Sequence, residues 1–154
     1  MTTDIENRTI ESSRLLNAPR ELVWEVWTDP KHIALWWGPN GFTNTIESME
    51  VKEGGSWRFI MHGPDGVDWP NVVRYTKVKE PELLEYYHSS DDPKDTHKFN
   101  VTVTFEKQGE KTLLTMSMVF QTAEERKRVI EEVGAIEGQN QTMNKLVEYL
   151  QNLS

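Results

Sequence analysis

Proton transfer near neutral pH falls to histidine before other side chains, and this sequence has four: His32, His62, His88 and His97. None stands at the short spacing of a metal-ligand pair. No cysteine is present, so disulfides, zinc–thiolate centres and thiol nucleophiles are excluded within this chain. No serine occupies a Gly-x-Ser-x-Gly elbow. Gly54-Gly55 and Gly63 are spaced as turns and lack the helix-opening context of a dinucleotide loop. These patterns imply no metal and no cofactor. Acid–base work by carboxylates is the remaining chemistry, with Asp65, Asp68 and Glu85 as candidates. Asp65 in "GPDG" has the form of a turn residue. Glu85 shares a strand face with Leu83 and Tyr87, and a carboxylate among apolar groups has a raised pKa suited to a general acid or base. By the same alternation His62 and His88 point away from the apolar faces of their strands.

The elements that must position these groups are legible from periodicity. Residues 8–16 alternate as a first strand. In "NAPRELVWEVWTDP", 17–30, Leu22, Val23, Val26 and Trp27 fall at helical spacing, opened by Pro19 and stopped at Asp29-Pro30. "HIALWWGP", 32–39, predicts a second short helix. Strands follow at 44–53 and 56–62, joined by "KEGG", then at 68–79 and 83–89, broken at Glu80-Pro81. "HKFNVTVTF" and "TLLTMSMVF" alternate strongly around a hairpin signal at Gln108-Gly109-Glu110. Thr122 and Glu125 form a capping box. Beyond Gly134, residues Ile136, Met143, Leu146, Val147, Leu150 and Leu153 keep one apolar face. Strands segregated from helices predict an α+β fold: a seven-stranded antiparallel sheet, two short helices after the first strand, and a long last helix covering one face.

Length and charge bound the rest. The 154 residues suit a single domain over 1–154, and 36% hydrophobic with 27% charged residues is a globular balance. A net charge of −8 opposes nucleic acid as a partner. Arg126-Lys127-Arg128 lies among Glu124, Glu125, Glu131 and Glu132, which reads as a solvated helix face. No apolar run approaches the roughly 20 residues of a membrane span. No signal peptide is visible, and the expected location is cytoplasmic.

"APRELVWEVWTDP", "WWGPNGF", "GGSWRFIMHGPDG" and "GAIEGQNQTMNKLVEYL" occur in this order along nearly the whole chain. The sequence thereby resembles the START-like, Bet v 1-like or helix-grip superfamily, and within it the bacterial homologues of the activator of heat-shock-protein-90 ATPase. The resemblance implies a curved sheet gripping the C-terminal helix, with a cavity between them. Relatives of this pattern carry a glycine in the fourth strand, where this chain reads "DWPNVVRY". On this reading a small, largely apolar ligand binds among Trp57, Phe59, Met61, Tyr75, Tyr87, Met118, Asn140 and Met143, with Trp36 and Trp69 nearer the mouth. Alternating aromatics in "WRFIM" equally describe a filled core. Two other functions stay open: a co-chaperone-like module presenting Trp36-Trp37 to a heat-shock-protein-90 type ATPase or another protein partner, and a cofactor-free lyase or cyclase using Glu85.

Overall fold

Alternation of β-branched and aromatic residues with polar ones favours pleated, half-buried strands, and seven form. The computed structural model describes residues 4–91 and 98–153. A short helical turn, α1 (Asp4–Asn7), precedes β1 (Thr9–Leu16); then come α2 (Arg20–Thr28) and α3 (Pro30–Trp36). The strands β2 (Thr43–Met49), β3 (Ser56–His62), β4 (Asp68–Lys79), β5 (Leu83–Ser90), β6 (Lys98–Gln108) and β7 (Lys111–Val119) follow in order. The chain closes with α4 (Ala123–Arg128), a π-helical turn (Val129–Val133) and α5 (Ala135–Leu153). All neighbours pair antiparallel in the order β1-β7-β6-β5-β4-β3-β2, so β1 and β2 are the two edges.

Local chemistry sets the boundaries. Asp29 ends α2 and caps α3, its carboxylate accepting from the Lys31 backbone N–H at 2.9 Å, and Pro30 follows at the first helical position. Helix α3 stops at Trp36, short of the expected 39, because Gly38 turns to φ +105° ahead of Pro39. Strand β2 likewise ends at Met49, since the turn leading to β3 leaves no room for a side chain at Gly55 beside the Glu50 carbonyl. Thr122 accepts the Glu125 N–H at 3.0 Å, completing the helix start its sequence signals. Gly134, at φ +71°, ends the π turn and redirects the chain into α5.

Pairing puts Val101 opposite Met118, Val103 opposite Met116 and Phe105 opposite Leu114. These residues line the concave face, and α5 lays Gln139, Thr142, Met143, Leu146 and Leu150 against it. Polar bonds hold the helix to both sides of the curve. Arg14 of β1 donates to Asn140 Oδ1 at 3.2 Å, and on the other side the Tyr149 hydroxyl meets His32 Nδ1 at 2.7 Å. The Asn40 backbone N–H adds a bond to Gln141 Oε1 at 3.0 Å. The seven-stranded α+β arrangement expected from periodicity is present, and the sheet grips the last helix as the resemblance implies.

Leu146 is fully enclosed whereas Leu153 is 43% exposed, which sets an internal comparison. Leu146→Ala should cost about 2–5 kcal/mol in urea unfolding, and Leu153→Ala should stay within about 0.5 kcal/mol.

Candidate functional site

The concave face is the one place where the sheet, α5 and the loop after α3 converge, and strand register decides which side chains reach it. Trp57 lies opposite Val73, Phe59 opposite Asn71 and Met61 opposite Trp69, so these six residues point to one side. On β5 the sequence reading requires correction. Glu85 and Tyr87 belong to the convex face; Leu84, Tyr86 and His88 face inward, opposite Val103, Val101 and Phe99. "LLEYYHSS" carries apolar residues on both parities, so alternation had nothing to choose between. A register shift between Tyr75 and Lys77 then lets Tyr75 stay inward opposite Tyr86. Tyr87 is 38% exposed, with the Lys98 ammonium 4.8 Å from its ring centre. Glu85 stands between Lys77 and Thr102 on the outer side and does not reach the interior.

Burial divides the concave face into a filled part and an open end. Trp57 and Phe59 are each 1% exposed and stack at 4.1 Å between ring centres, and Trp37 meets Trp57 edge-on at 5.3 Å. Tyr75, Tyr86, Met118 and Met143 are buried too. Trp36 is not at a mouth: it packs edge-on against Trp27, and its indole N–H donates to the Val26 carbonyl at 3.0 Å. Trp37 is buried as well, so the pair offers no exposed aromatic anchor to a protein partner. Further along the same face Met61, Asn71, His88, Ser90 and Phe99 are only half-buried, and Trp69 at the rim is 54% exposed. Asn140 is half-buried and spent on Arg14. Its neighbour Gln139 is the buried amide, and its Nε2 has no hydrogen-bond partner among the described residues.

A polar chain runs through the open end. Asn71 Nδ2 donates to the Trp69 carbonyl at 2.7 Å, leaving Oδ1 to meet His88 Nε2 at 2.9 Å. The His88 ring lies 5.8 Å from Phe59 and 4.9 Å from Phe99, centre to centre. Burial pushes its pKa down from the ordinary value to about 4, so it is neutral at pH 7. Burial also pushes the Tyr75 and Tyr86 hydroxyls far up, and neither ionises near neutrality.

Two further constellations lie outside this face. Glu25, Asp29 and His32 bring potential ligand atoms within 4.8 Å of one another. Their spacing across the α2–α3 break is not a familiar ligand motif, and Asp29 and His32 already serve as cap and as partner of Tyr149. On the convex face Thr45 Oγ1 meets His62 Nε2 at 2.8 Å and His62 Nδ1 meets Asp68 Oδ1 at 2.7 Å. That order imitates a hydroxyl–imidazole–carboxylate triad, but it is solvent-exposed and ties β2, β3 and β4 together across the sheet. Asp65 caps its own turn, accepting from the Val67 N–H at 3.1 Å. His97 lies outside the described residues. An open depression of about 480 Å³ sits at the opposite end of the sheet, between the start of α2 and the β6–β7 hairpin, lined by Arg20, Glu21, Lys107 and Glu110 among others.

Residues 17–151 match the sequence model of the family described as Activator of Hsp90 ATPase homolog 1-like protein. The chain belongs to this family. Among solved structures, an Arthrobacter aurescens protein is similar at 25% identity and TM-score 0.87, over 98% of this chain and 90% of that one. A Mycobacterium smegmatis protein follows at 24% and 0.84, over 96% and 93%. The AHSA1 protein of Silicibacter pomeroyi shares the fold at 18% identity and TM-score 0.77, over 95% and 99%. Among curated proteins none matches this sequence. The fold of the Hsp90 ATPase homolog 1-like family is consistent with ligand binding. No helix among the described residues is long and apolar enough to cross a membrane.

Unfolded, His88 takes up its proton near 6.5; folded, it does so only near 4. Between those values the unfolded state binds more protons, so acid lowers stability. The contribution is whole above pH 6.5 and lost by about pH 4, and amounts to at most about 3 kcal/mol. Urea midpoints across this window should fall for the native protein and fall less steeply for His88→Phe.

Proposed function

We propose that the protein binds a small, largely apolar molecule at the open end of the concave face, between the sheet and α5. The carrying observation is the change along one face from enclosed residues at Trp57, Tyr86 and Val101 to half-buried ones at Met61, His88 and Phe99. Apolar walls with a few fixed polar groups are the usual make-up of a small-molecule site. Here Met61 and Phe99 supply the former, and Asn71, His88 and Ser90 the latter. Methionine adapts its shape to a guest at little cost. Trp57 and Phe59 form the floor of the site through their packing, and ligand contact belongs to the residues nearer the rim.

The lyase or cyclase alternative loses the group it named. The carboxylate that would have served a lyase, Glu85, is on the convex side. Titrating 2-methylnaphthalene into ¹⁵N-labelled protein should shift the amide signals of Met61, Asn71, His88, Ser90 and Phe99 while sparing Arg74, Glu85 and Tyr87. Shifts confined to the convex face, or none at high micromolar probe, would overturn the proposal.

A further inference from the structure

The hydrogen bonds at the open end fix more than the position of His88. Asn71 spends its only donor group on the Trp69 carbonyl, so the atom it turns to His88 is the oxygen Oδ1. A carbonyl oxygen only accepts, and therefore His88 Nε2 must carry the proton. A neutral imidazole carries one N–H, which leaves Nδ1 as a bare acceptor. Among the described residues Nδ1 has no hydrogen-bond partner, although the ring is flanked by Phe59 and Phe99 and carries no charge at neutral pH. From the helix side Gln139, 6% exposed, brings an unpartnered Nε2 to the face that α5 turns toward the sheet. Unspent polar capacity thus stands at His88 on the sheet, with a second unpartnered polar atom on the buried face of α5.

We infer that the ligand is a largely apolar molecule bearing a hydroxyl or N–H group that donates a hydrogen bond to His88 Nδ1. This rests on the binding reading above. A purely hydrocarbon guest would strip water from Nδ1 and return nothing, and an unmade hydrogen bond in an enclosed site is costly. A carboxylate is disfavoured, because it only accepts and would face the lone pair of Nδ1. A hydroxyl suits best, since it donates to Nδ1 and carries no charge into the site.

The test compares 2-naphthol with 2-methylnaphthalene, which differ by a hydroxyl against a methyl of similar size, on the native protein and on His88→Phe. The ratio of the two dissociation constants should favour 2-naphthol by roughly three- to tenfold more in the native protein than in the variant, as one hydrogen bond provides. Equal ratios in the two proteins, with both probes bound, would overturn the hydroxyl inference and leave the binding site standing. Failure of both probes to bind the native protein would remove the site itself. Should His88→Phe not fold, ¹⁵N spectra of the native imidazole decide the matter. A protonated Nε2, with an Nδ1 signal that moves on adding 2-naphthol, supports the assignment, and a protonated Nδ1 overturns it.

Discussion

Helices α5, α2 and α3 together have to keep water off the concave side of a seven-stranded sheet. Everything else in the molecule answers to that constraint. A sheet this wide presents more apolar area than a single helical stripe can cover, and α5 is flanked by β1 on one side and α3 on the other. The flanking contacts are polar and specific, Arg14 to Asn140 on one side and His32 to Tyr149 on the other. The stripe between them is apolar: Met143, Leu146 and Leu150. Helices α2 and α3, with Trp37 just beyond α3, complete the cover with four tryptophans, and this is why that portion of the interior is filled. The remaining end, beyond the reach of both helical covers, is where burial declines.

Much of this was legible beforehand. The runs around Val101–Val103 and Leu114–Met118 have one apolar parity each, so their pairing and inner face followed directly. The breaks at Asp29-Pro30 and Gly134 are written in residues whose backbone chemistry leaves little choice. The candidate site was less legible, for a physical reason. On β5, Leu83 and Tyr87 compete with Leu84 and Tyr86, and only pairing with neighbours decides between them. Reading the strand one residue out of phase sent Glu85 and Tyr87 inward and hid His88. The large side chains Trp57 and Phe59 were placed on the correct face, but periodicity cannot tell a wall from a floor, because both are apolar and inward.

The misread strand is also the chemically informative one. An inward histidine breaks the apolar pattern of its face, and such local conflicts tend to mark functional positions. Asn71 makes the conflict tolerable by accepting a hydrogen bond from the His88 Nε2–H, and the Trp69 carbonyl in turn holds Asn71. A glycine at position 71 could neither orient the ring nor select its tautomer. Asparagine there is a directional hydrogen-bonding element, and links the rim of the site to its interior through two bonds.

The tryptophans carry an optical consequence. Trp24, Trp27, Trp36, Trp37 and Trp57 are all at most 6% exposed, and Trp27, Trp36, Trp37 and Trp57 lie in a chain of rings 4.9–5.8 Å apart. At such separations excitation migrates among indoles faster than it is emitted, so the four radiate as one short-wavelength source shielded from water. Trp69, on the rim and in solvent, radiates to the red of them. The filled interior and the open end of this protein are therefore distinguishable by colour, with no label added.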